Sequence, residues 1–103
     1  VVVLPSTPKA FYRGTVPSNW TDVYTAPASG LAVVTSIVAS NPGGTAANVS
    51  VHFGDVVLLP GVGIPPSGVL TLDVRQVLNA GELINVRGSG ALAHLHISGA
   101  EVS

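Results

Sequence analysis

"ANVSVHF", Ala47 to Phe53, is the stretch that decides the fold. On an extended chain Ala47, Val49, Val51 and Phe53 fall on one side, and Asn48, Ser50 and His52 on the other. That is the period-two pattern of a strand with one dry face and one wet face. Immediately upstream, "NPGG" (Asn41–Gly44) supplies a turn: Pro42 presets φ for the first corner, and the glycines accept a positive φ at the second. Before the turn, "LAVVTSIVAS" (Leu31–Ser40) is small and apolar on both sides, as expected of a central strand covered on both faces.

Working outward, short β-branched runs alternate with turn signals, and no segment has helical periodicity. "TDVYTAP" (Thr21–Pro27) is a short strand ended by Pro27 and Ser29-Gly30. "DVVLLP" (Asp55–Pro60) follows Gly54 and leads into an apolar loop, "GVGIPPSG" (Gly61–Gly68). "VLTLDV" (Val69–Val74), a strand at Glu82–Arg87 after the Asn79-Ala80-Gly81 turn, and a last strand in "ALAHLHI" (Ala91–Ile97) complete the set. Seven or eight strands at this spacing predict an all-β protein, a small antiparallel β-sandwich of jelly-roll or Ig-like type over residues 20–103. Residues 1–19 carry Pro5, Pro8 and Pro17 with Phe11 and Tyr12. They read as an extended N-terminal arm, dispensable for folding and suited to docking on a neighbouring subunit.

Composition narrows the function classes. The 103 residues are 47% hydrophobic and only 9% charged, with a net charge of -1, against a usual charged share of about a quarter. So neutral a surface favours association. It offers no basic footprint for nucleic acid and no polybasic segment for anionic lipid, so neither is an expected partner. The most apolar stretch, Val56–Leu72, is interrupted by Pro60, Pro65 and Pro66 and is not a membrane helix. The N-terminal "VVVLPSTPKAFYRG" has no basic region ahead of its apolar one and does not read as a signal peptide.

Candidate chemistry is sparse. There is no cysteine, no Gly-x-Ser-x-Gly elbow, no Walker lysine and no dinucleotide fingerprint. His94 and His96 point the same way from the last strand, and His52 also lies on a non-core face. A three-histidine metal site is therefore conceivable if the two strands are neighbours, but the plainer reading makes all three the wet side of strands. No catalytic residue, metal or cofactor is expected. Trp20 is expected to pack at one end of the sandwich, with stacking on a sugar as the alternative. The residues proposed for partner contact are Phe11, Tyr12, Arg13 and Trp20, together with Val62, Ile64, Pro65 and Pro66 of the apolar loop.

"DVYTAPASGLAVVTSIVASNPGGTAANVSVHFGD" (Asp22–Asp55) and "LLPGVGIPPSGVLTLDVRQVLNAGELINVRGSGALAHLHISGAEV" (Leu58–Val102) resemble small structural proteins of the virions of tailed bacteriophages, especially those of actinobacterial hosts. The shared features are the "YTAPA" entry, a strand ending in "SN" before a Gly/Thr/Ala turn, the Leu78-x-Ala80-Gly81-Glu82 element and the closing "SGAEV". The resemblance implies a non-enzymatic β-sandwich in the virion, a capsid decoration protein binding the major capsid protein or other virion subunits as a homo-oligomer, with a trimer favoured. A tail or head-fibre component is the sibling reading. A carbohydrate-binding or host-adhesion module is the reading from another class.

Overall fold

In the computed structural model, which describes residues 6–54, 56–90 and 93–102, eight strands and no helix form two antiparallel sheets. The strands are β1 (Ser6–Thr15), β2 (Thr21–Thr25), β3 (Leu31–Ser40), β4 (Ala47–Phe53), β5 (Val56–Ile64), β6 (Val69–Leu78), β7 (Leu83–Gly90) and β8 (His94–Val102). One sheet, A, runs β1-β8-β3-β6, and the other, B, runs β2-β7-β4-β5. Every connection except β4–β5 crosses from one sheet to the other. β1 pairs with β8, β2 with β7, β3 with β6 and β4 with β5, so the chain is one long hairpin rolled up on itself. The pairings β3·β8 and β4·β7 then join the ribbon into two sheets. This is the order of a jelly roll; an Ig-like sandwich would keep its first two strands in one sheet.

The core comes from the alternation. Ala47, Val49 and Val51 of β4 are buried, whereas Asn48 is exposed and Ser50 and His52 are half-buried on the outer side. In β8, Leu95 and Ile97 are buried between outward His94, His96 and Ser98. β3 is central in sheet A, as its composition predicts, but only one of its faces is buried. Ala32 and Val34 point inward, the ladders to both neighbours slip at Thr35, and the inward parity passes to Ile37 and Ala39. Val33 and Val38 are half-buried on the outer face, where small side chains make a flat surface rather than a second core.

Two further expectations are corrected. The segment read as an N-terminal arm belongs to the sandwich: residues 6–15 form the edge strand β1 against β8, and Phe11 is 6% exposed in the core. Pro8 misled the reading, because proline is tolerated on an edge strand, where one side of the backbone needs no partner. Residues 1–5 of that segment lie outside the described residues. The apolar loop at Gly61–Gly68 is half strand: β5 continues to Ile64, which is buried, and only Pro65–Gly68 turn. Gly68 N–H donates to Pro65 O at 2.8 Å and Ser67 has φ 60°. With Pro66 at the second position, this is a type II turn whose left-handed corner is filled by serine.

Asn41 locks that turn to the preceding one. It is the one buried polar side chain among the described residues, at 1% exposure. Its Nδ2 donates to Thr45 O (2.7 Å) and Ile64 O (3.0 Å), and its Oδ1 accepts from Gly43 N–H (3.0 Å). Its own N–H donates to Gly68 O at 2.9 Å. The β3–β4 turn is thereby tied to the end of β5 in the opposite part of the rolled hairpin. Gly99 is required by close approach: a Cβ there would overlap Val33 O and press on the Phe11 ring.

Candidate functional site

The outer face of sheet A follows from the strand registers. One row across it reads Arg13, His96, Val38, Thr71; the next reads Thr15, His94, Ser40, Val69; a third reads Ala10, Ser98, Ser36, Asp73. Charge is confined to the margins, with Arg13 on β1 and Asp73 and Arg75 on β6, and between them, His94 and His96 apart, the side chains are short and uncharged. A pleated face of this kind is flat and cheap to desolvate, since few of its groups lose strong hydration when covered.

The outer face of sheet B is more polar. Asp22, Asn85, His52 and Val57 form one row across it. Asn85 Nδ2 donates to Asp22 Oδ1. Trp20, expected to pack in the core, is instead 41% exposed and lies against the His52 ring with centroids 4.2 Å apart. It precedes β2, the short edge strand of this sheet, where the sandwich does not cover it. Asp22, His52, Asn85 and Glu82 line a shallow depression beside it. Arg87 and Ser50 continue the polar surface toward Gly61 and Asn48.

The histidines are thus divided between opposite sides of the molecule. His94 and His96 project from sheet A and His52 from sheet B, because β8 and β4 belong to different sheets. The three-histidine arrangement is therefore ruled out by topology. Among the described residues no group of three or more His, Asp or Glu side chains is placed to hold a metal ion. The proposed contact residues do not form one patch. Phe11 and Ile64 are buried, and Tyr12 and Val62 are half-buried. Arg13, Trp20 and the Pro65-Pro66 pair are exposed on the sheet A face, on the sheet B face and at the β5–β6 turn respectively.

No family model and no curated protein matches the chain. What its geometry can do must be read from the residues. The strongest electrostatic feature, missed in the sequence, is a clasp between the sheets. The Tyr24 hydroxyl of β2 donates to Glu101 Oε2 of β8. Lys9 of β1 lies 3.4 Å from the same oxygen, and the Phe11 ring sits 4.4 Å from that of Tyr24. The hydrogen bond from Tyr24, aided by Lys9, holds the Glu101 carboxyl below the usual glutamate range. Burial, reinforced by the carboxylate, pushes the Tyr24 hydroxyl well above the usual tyrosine range. An ionised acid and a firmly protonated phenol make a fastener between the two sheets. Only the far sequence separation of Tyr24 and Glu101 hid it.

Proposed function

We propose that this chain is a non-enzymatic structural protein of a bacteriophage virion. It is a capsid decoration protein that covers the outer surface of the head and reinforces it through contacts with the major capsid protein and with its own copies. The observation that carries this reading is the outer face of sheet A, whose charged residues lie only at its margins. A protein with 9% charged residues gains by covering such a face, and repeated weak contacts on a particle add up to firm attachment. The jelly roll, an architecture used in viral capsid domains, supports the reading by analogy of fold, as does the sequence resemblance to tailed-phage virion proteins.

The test is co-sedimentation of the purified chain with capsids that lack it. Saturable binding is expected, weakened by the paired changes His94→Glu and Thr71→Glu, which place charge on the sheet A face without touching the core. Absence of binding by the folded chain overturns the reading. The same assay with purified tails separates the sibling tail or fibre role.

One observation favours a second reading. Trp20 is an exposed ring beside the planar polar side chains of Asp22, Asn85 and His52, the ingredients of a sugar platform. As an adhesion module the chain would bind host glycans, and Trp20→Ala would abolish that binding while leaving capsid binding unchanged.

A further inference from the structure

The sandwich has four edge strands, β1 and β6 in sheet A and β2 and β5 in sheet B. Open edges invite pairing, and soluble proteins blunt them with proline, shortness or breaks in the ladder. β1 carries Pro8 and a register slip, β2 has five residues and a slip, and β5 carries Pro60 and two slips. β6 has ten residues and no proline. Its ladder to β3 slips once, with Val74 and Arg75 of β6 standing opposite Thr35 alone. β6 itself keeps Leu70, Leu72, Val74 and Leu78 inward throughout.

The exposed apolar side chains gather at this same edge. Of the five large hydrophobic residues exposed among the described residues, Val69 and Val77 are on β6, and Val56 and Val57 begin β5. Val56, Val57 and Val77 line one hollow together with Phe53 and Leu58. Trp20 alone lies elsewhere.

We infer that β6 pairs antiparallel with β6 of a second copy about a twofold axis through Val74, joining the two A sheets into one continuous sheet. The charge pattern selects both the partner and the register. With the axis at Val74, Asp73 of each copy faces Arg75 of the other, giving two ion pairs on the outer face. An axis at residue 73 would set carboxylate against carboxylate, and one at residue 75 guanidinium against guanidinium. Both of those registers are penalised, since like charges directly opposite destabilise a strand pair. The same register sets Thr71 against Val77 of the second copy, covering an exposed valine with a β-branched neighbour. Within one chain, neither Asp73 nor Arg75 makes an ion pair among the described residues, where the single ion pair is Lys9–Glu101. The contact is isologous, as closed twofold pairs are, and it stands whether or not the chain decorates a capsid.

The test is the solution mass of the full chain by light scattering or sedimentation equilibrium at high micromolar concentration. The wild type is expected at twice the chain mass. Asp73→Arg and Arg75→Asp should each give the single-chain mass with unchanged melting curves, because both positions are exposed. Mixing the two variants in equal amounts should restore the doubled mass. One variant then presents a guanidinium at both positions and the other a carboxylate at both, so each facing pair is again of opposite charge. A monomeric wild type overturns the inference, as does an assembly whose mass neither variant changes. Capsid co-sedimentation is a separate readout, so failure of either idea leaves the other standing.

Discussion

Asn41→Ala is the sharpest test of how the rolled hairpin is held closed. The substitution removes two donated bonds and one accepted bond from a side chain that is 1% exposed. The three losses are unequal. Gly43 and Thr45 lie in a partly open turn, where water can replace the missing partner, so each costs about 0.5–1 kcal/mol. Ile64 O accepts in a buried setting, and leaving it unpaired costs about 1–3 kcal/mol. The total is about 2–5 kcal/mol, which for a domain of this size lowers the melting temperature by more than about 8 °C. Urea denaturation followed by Trp20 fluorescence and by far-ultraviolet circular dichroism gives the value directly, with coincident curves as the check on two-state behaviour. Asn41→Asp should be worse than alanine, since it keeps the acceptor for Gly43 but turns a carboxylate oxygen toward two carbonyls. A loss under about 0.5 kcal/mol for alanine, within the range of ordinary surface substitutions, would refute the claim that this side chain joins the two turns.

Three further outcomes are expected. Phe11→Ala should cost about 3–5 kcal/mol by denaturant titration, and deletion through Tyr12 should prevent folding, because β1 is a sheet strand; a stable deletion product would restore the detachable-arm reading. Ser67→Gly should raise stability by about 0.5–1 kcal/mol by relieving a left-handed φ at a non-glycine residue, and an unchanged urea midpoint would count against the type II turn. Folding favours ionised Glu101, so its contribution is present above the ordinary glutamate range and is lost as pH falls through that range toward its lowered folded value. Melting curves from neutral pH down to about 3 should therefore show a steeper acid loss in the wild type than in Tyr24→Phe.

The parts of this fold that read cleanly from the sequence are those where one face is core and the other is water. β4 runs from Ala47 to Phe53 and β3 from Leu31 to Ser40, the limits set by alternation and by the Asn41–Gly44 turn. β1 escaped because Pro8 and the slip at Phe11 break its period, and the end of β5 because Pro60, Gly61 and Gly63 imitate a loop. The slip at Thr35 let both halves of β3 look apolar on two faces, when each half is turned to the core on one. Asn41 reads as an ordinary turn residue; its role depends on Ile64, which only the rolled topology brings beside it. The outer faces are illegible for the same reason, since Arg13, His96, Val38 and Thr71 meet in one row through pairings between distant segments. Trp20 alone gives no local signal of whether a ring is covered.

The rolled hairpin also dictates an order in time. β4 and β5 are neighbours in the chain and can close first, whereas β1 and β8 are the most distant pair and must close last, after the loop entropy of nearly the whole chain has been overcome. During synthesis β1 therefore emerges long before its partner and waits with Phe11 uncovered. Linking residue 102 to residue 6, which already sit side by side in register, and opening the chain between β4 and β5 would make the slowest closure the fastest one. Such a permutant should keep the sandwich while folding along the reverse route.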